Sequence, residues 1–147
     1  MTQLTPHFTL EELYASEIAD RNNIDNKPTD PTILTNLQFL AEKLEEVRNV
    51  LQYPIHVNSA YRCLLVNGML GSKPTSAHTR GLAADIICPS FGNPRDIVNA
   101  IVGSDIKYDQ VILEYDRWCH IGFAEQGQTP RLQKLIINKE GTFNYAA

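Results

Sequence analysis

The 147 residues contain only three cysteines, one tryptophan and two methionines. Cys63, Cys88 and Cys119 are an odd count without close pairing, which argues against a disulfide framework. Positive charge is also sparse: 13 lysines and arginines face 17 acids, for a net charge of -4. No run of five or more basic residues occurs, so a general nucleic-acid binder is not expected. Long apolar runs are missing too, and no segment approaches the roughly 20 apolar residues of a membrane span. The opening, "MTQLTPHFTLEE", has no charged start followed by an apolar stretch. Synthesis in the cytoplasm without a signal peptide is therefore the expectation. No internal repeat or low-complexity segment is visible.

What is present suits an ordinary folded domain. The apolar fraction is 43%, and a chain of this length can bury a sizeable core without staples. One domain over residues 1–147, monomeric, is expected. In "FTLEEL", Thr9 can cap a helix with Glu12 as its capping-box partner, and Phe8 with Leu13 matches the hydrophobic staple. This helix is predicted to end before the turn-rich "NNIDNKP". "DPT" restarts a helix with Asp30 as cap and Pro31 in the first turn. Ile33, Leu37, Leu40, Leu44, Val47 and Leu51 then recur at steps of four and three, the stripe of a long amphipathic helix. Pro54 follows its end.

Further on, "IHVNS" and "LAADII" read as strands, "CLLVNGML" as a short helix or turn, and "GSKPTSAH" as a loop. "NPRDIVNAIVG" repeats the cap-proline start of a compact helix. "DQVILE" and "WCHIGF" form a hairpin around "YDR". "RLQKLIINKEGTFNYA" is predicted to hold one more strand. Helices come first and strands cluster later. The class is α+β, with a small, mostly antiparallel sheet packed against a long helix and shorter helices.

Asp85 stands between "LAA" and "II", inside a predicted buried strand. Burying even a neutral polar group unpaired costs about 2–7 kcal/mol, and a charge costs more. It needs a cation: Arg62, Arg80 or a metal. His120 stands in the apolar strand "WCHIGF", and His78 lies seven residues before Asp85. Each taken alone suits a structural role, a core histidine or a loop residue. Two histidines with one carboxylate also form a three-ligand set with an open position, as in catalytic zinc sites. Water bound at such a position drops to a pKa of about 7 and becomes a usable nucleophile. Non-haem iron uses the same ligand types, usually with the first pair much closer than His78 and Asp85. One zinc ion (Zn2+) per chain is therefore preferred.

"SAYR" at 59–62, "SAHTRGLAADI" at 76–86 and "DQVILEYDRWCHIGF" at 109–123 follow one another in that order. Together they resemble the M15 family of zinc D-Ala-D-Ala carboxypeptidases and peptidoglycan endopeptidases. The likeness points to the single-domain branch found in bacteria and in bacteriophage lysis or virion proteins. It extends from about Phe8 to Phe123, since "HFTLEELYASEIADRNNIDNKP" also resembles that branch. The resemblance implies a Hedgehog/D-Ala-D-Ala peptidase-like fold and a zinc-dependent peptidase acting on peptidoglycan stem peptides. It makes His78, Asp85 and His120 the zinc ligands and Arg62 the arginine facing the substrate and its developing oxyanion. Ser76 becomes a serine at the edge of the site that hydrogen-bonds the peptide. No nucleic acid or membrane partner is implied. Access to the wall would come through lysis, virion delivery or an unrecognised export.

The family's general base is an acid shortly before the last histidine, often three residues before it. Arg117 occupies that place here, which keeps open a non-catalytic, zinc-stabilised wall-binding or virion structural module. Glu114 and Asp116 are the remaining acids. If the hairpin turn takes residues 115–117, Glu114 pairs with Trp118, Ile112 pairs with His120, and Glu114 shares a face with His120. A two-residue turn would pair Glu114 with Cys119 and turn it away. Glu114 is preferred. Plainer roles stand beside these: Arg62 as the ion-pair partner of Asp85, Ser76 as a loop cap, Arg80 pointing to solvent. His7 and His56 receive no function, and Cys88 and Cys119 are expected in the core.

Overall fold

The computed structural model describes residues 2–145. A small antiparallel pair, β1 (Gln3–Thr5) and β2 (Phe8–Thr9), precedes the first helix. The Thr9 hydroxyl accepts from the Glu12 N–H while the Glu12 carboxylate accepts from the Thr9 N–H, starting α1 (Leu10–Tyr14). The chain then breaks and restarts at Ser16, whose hydroxyl caps α2 (Glu17–Arg21). The sequence predicts one helix here, and two are present. A second capping serine competes with helix continuation, which the apolar pattern does not reveal.

Asp30 caps α3 (Pro31–Leu51) by accepting from the Thr32 N–H. Leu37, Leu40, Leu44, Val47 and Leu51 are buried, and Ile33 packs at the margin of the same core. Each large buried residue of this stripe contributes about 1.5–3 kcal/mol. Gln52, in the left-handed region, ends the helix with its N–H on the Arg48 carbonyl. Then come β3 (His56–Ser59), α4 (Leu64–Met69), a 3-10 turn (Ala77–Arg80), β4 (Ala83–Ile87), α5 (Pro94–Val102), β5 (Gln110–Glu114) and β6 (Trp118–Gly122).

The C-terminal stretch holds β7 (Gln133–Asn138) and β8 (Gly141–Asn144), where the sequence predicts a single strand. β8 is exposed throughout and β7 alternates poorly, so neither carries the period-two signature of a half-buried strand. The main sheet runs β3-β4-β6-β5-β7-β8, antiparallel except for the β5–β7 pair. The expected α+β architecture, a mostly antiparallel sheet with one long and several shorter helices, is what the chain adopts.

Alternation along the central strands decides what each face does. Ala84, Ile86, Val111, Leu113, Cys119 and Ile121 enter the core shared with α3 and α5. Asp85, Ile112, Glu114 and His120 line a cavity on the opposite face. Gly81 links the 3-10 turn to β4 with φ +74°, and a Cβ there would sit 3.1 Å from Leu37 Cγ. Only glycine suits that conformation pressed so closely on α3.

No helix among the described residues is long and apolar enough to cross a membrane.

Candidate metal centre

Antiparallel pairing of β4 with β6 sets Asp85 directly opposite His120. The second histidine comes from the 3-10 turn, whose first turn Ser76 caps by accepting the His78 N–H at 3.2 Å. Asp85 Oδ1 lies 3.0 Å from His120 Nδ1 and 3.3 Å from His78 Nε2. The two imidazole rings are 5.0 Å apart. All three side chains are buried, and one potential ligand atom from each falls within 4.8 Å of the others. The three residues singled out in the sequence are thus brought together.

The donor set fits a divalent cation. His78 Nδ1 lies 2.7 Å from the Ala60 carbonyl oxygen, which can only accept, so Nδ1 carries the proton. Burial pushes the His78 imidazolium down, outweighing the pull of Asp85. The neutral ring then aims a bare Nε2 lone pair at Asp85 Oδ1. Burial alone would raise the Asp85 carboxyl, but the hydrogen bond with His120 holds it well below the usual carboxylate range. Two electron-rich atoms so close need either a second imidazole proton, which burial opposes, or a metal ion between them. Nitrogen and carboxylate ligands in a three-donor set match zinc. The hydrogen bond from His78 Nδ1 to a backbone carbonyl is the usual outer support of a metal-binding histidine.

Arg62 settles how Asp85 is used. Its Nη2 donates to Asp85 Oδ2 at 3.1 Å, leaving Oδ1 to the histidines. Ion-pair partner and metal ligand were alternatives in the sequence; the carboxylate's two oxygens accommodate both. Ser59 Oγ accepts from Arg62 Nε at 3.1 Å and Ser72 Oγ from Nη1 at 3.5 Å, which fixes the guanidinium plane.

Glu114 pairs with Trp118 and Ile112 with His120, so the turn spans residues 115–117. Glu114 Oε1 lies 3.8 Å from His120 Nδ1. Burial, reinforced by the charge of Asp85, raises the Glu114 carboxyl above its ordinary value. Asp116 instead is exposed at the hairpin tip, 3.8 Å from Arg95, and does not line the metal cavity.

The other candidates divide cleanly. Ser76 lines the metal cavity and also caps the turn. Arg80 is partly exposed and pairs with Glu125 at 3.0 Å, away from the ligands. His7 binds Glu45 at the surface, and His56 is exposed on the edge strand β3. Cys88 and Cys119 are buried free thiols in the core. Cys119 neighbours His120 along β6 and therefore faces away from the metal cavity.

No pattern in the sequence marks Asn26. It is buried, and its amide donates to the Tyr14 and Tyr61 carbonyls while its oxygen accepts the Cys63 N–H at 2.8 Å. The Arg62 N–H donates to the His78 carbonyl. The "AYRC" strip is thereby laced to the histidine turn on one side and to the "NNIDNKP" loop on the other. Such a loop has no periodicity, so the only available signal was an amide able to satisfy several backbone groups at once.

Residues 6–122 match the Peptidase M15 family. The match covers all three candidate ligands, and the chain belongs to this family of metallopeptidases. Among curated proteins none matches the chain. The family match stops at the end of β6, leaving β7 and β8 outside it.

Proposed function

We propose that the protein is a zinc-dependent peptidase that hydrolyses a peptide bond in bacterial peptidoglycan stem peptides, as a D-Ala-D-Ala carboxypeptidase or an endolysin-type endopeptidase. The observation that carries this reading is Glu114, on the same sheet face as Asp85 and His120 in a cavity of about 400 Å³. Zinc held by His78, Asp85 and His120 would supply Lewis acidity to a scissile carbonyl and lower the pKa of a water to about 7.

The chain's own residues do the rest. Glu114 takes the proton of the attacking water and delivers it to the leaving amine. Its raised carboxyl brings its proton affinity closer to neutral pH, where a general acid–base group is most effective. Arg62, held by Ser59, Ser72 and Asp85, presents fixed positive charge where the carbonyl oxygen becomes negative. The Ser76 hydroxyl uses its lone pair on the His78 N–H, so its own proton remains free for a peptide carbonyl at the cavity edge.

Mass spectrometry of defined muropeptides incubated with the zinc-loaded protein tests the reading and identifies the bond. Release of a fragment by wild type but not by Glu114→Gln supports it. A protein that binds zinc and peptidoglycan yet releases nothing would be the non-catalytic wall-binding module instead.

A further inference from the structure

We propose that the substrate cleft continues past Trp118 into a second, cationic subsite, built by the β5–β6 and β7–β8 turns, that takes a carboxylate of the peptide. This rests on the peptidase reading and adds to it a site outside the catalytic group.

A cavity of about 450 Å³ opens between Tyr115, Asp116, Arg117 and Trp118 on one turn and Asn138 and Lys139 on the other. Tyr115 and Trp118 also line the metal cavity, so the two spaces share a wall. Their rings lie 5.9 Å apart and tilted by 48°, forming an aromatic ridge that a peptide must cross. The two turns hold one position because the Tyr115 N–H donates to the Ile137 carbonyl at 2.8 Å. β7 runs parallel to β5 in a register that sets Ile137 beside Glu114. The second wall therefore exists only because the chain continues beyond the family match, which ends at residue 122.

Charge specifies the ligand. Asp116 lies within 3.8 Å of Arg95, which offsets its charge. Arg117 and Lys139 have no ion-pair partner among the described residues. Two free cations at the end of a substrate cleft, in a protein of net charge -4, make a local positive field that attracts an anion. Arg117 offers a planar fork that suits a carboxylate, and Lys139 a mobile point charge beside it. A neutral peptide segment would leave both without a partner.

The test uses the full zinc-loaded chain and one synthetic stem peptide, with its carboxylates free or converted singly to carboxamides. One carboxamide form is expected to show a KM raised about tenfold with kcat unchanged, the scale of one charge-assisted hydrogen bond at a partly exposed site. The double variant Arg117→Met/Lys139→Met should handle that form and the free peptide alike, at the raised KM. Both residues are exposed, so its thermal melting should match wild type. Calorimetry of the same peptides with Glu114→Gln should show the same tenfold preference in Kd. Wild type cleaving every form with equal KM, or the double variant keeping the preference, would overturn the subsite alone. If wild type cleaves none of the peptides and Glu114→Gln binds none of them, the peptidase reading is overturned, and the subsite with it.

Discussion

Glu114 Oε1 reaches to 3.8 Å from His120 Nδ1 across the β5–β6 hairpin. That approach depends on the turn. Tyr115 and Asp116 both take left-handed φ values, 55° and 54°, and the Arg117 N–H closes the turn on the Glu114 carbonyl at 3.0 Å. The register then sets Glu114 opposite Trp118, on the metal-facing side. A turn one residue shorter would have pointed Glu114 into the core. Glu114→Gln should retain zinc and fold while lowering turnover about a hundredfold or more, the contribution of a general base. Asp116→Asn should act near wild type. Steady-state kinetics of the two variants check this, and the opposite pattern would make Asp116 the base.

The acceptor–acceptor contact between His78 Nε2 and Asp85 Oδ1 leads to a metal stoichiometry. One zinc per chain is expected by elemental analysis, and His78→Ala or His120→Ala should lose it. Cys88→Ser and Cys119→Ser should keep it, because both thiols lie in the core. Chelation should lower the melting temperature, since an ion bound only by the folded state stabilises that state. Full zinc occupancy in either histidine variant would mean a different ligand set.

Asn26 holds three backbone groups around Arg62. Asn26→Ala removes the partner of the buried Tyr61 carbonyl, at about 1–3 kcal/mol before relaxation, and of the part-buried Tyr14 carbonyl and Cys63 N–H at less. Lower stability in urea and a reduced kcat with zinc retained are the expected results. Asn26→Asp should be no better, because a carboxylate lacks the two N–H donors that the Tyr14 and Tyr61 carbonyls require. Wild-type kcat in the folded Asn26→Ala protein would separate this amide from the placement of Arg62.

Leu44 is fully buried at the centre of the α3 stripe. Leu44→Ala should cost about 2–5 kcal/mol, combining lost burial with the cavity left behind. A denaturation midpoint shift equivalent to less than about half a kcal/mol would be typical of a surface position instead.

Asp109 joins β5 to the C-terminal hairpin through a double contact with the Arg131 guanidinium and the Arg131 N–H. The hydrogen bond to Arg131 holds its carboxyl below the ordinary value despite partial burial. The folded state therefore binds this proton less readily than the unfolded one. The stabilisation is fully present above the unfolded pKa of about 3.9 and is lost as pH falls through the lower folded value. Asp109→Asn should reduce stability at neutral pH and flatten the decline below about pH 4, followed by urea midpoints against pH. An unchanged slope would show that the pair carries no acid dependence.

Local order alone determined much of this protein. The α3 stripe, the Thr9 and Asp30 caps and the alternation around Asp85 and His120 are short-range patterns, set by backbone sterics and side-chain periodicity. They identify elements and their faces, and the order of the motifs brought His78, Asp85 and His120 forward as one set. Tertiary structure decided which groups meet. It divided the two oxygens of Asp85 between Arg62 and the histidines, gave Asn26 to the arginine strip, and laid β7 parallel to β5 so that Lys139 lines the same cavity as Arg117. Neither the exposed β8 nor the aperiodic loop around Asn26 carries a local pattern that names its partner. Such pairings are selected by packing and hydrogen-bond satisfaction between distant segments, and a reading of neighbours along the chain does not contain them.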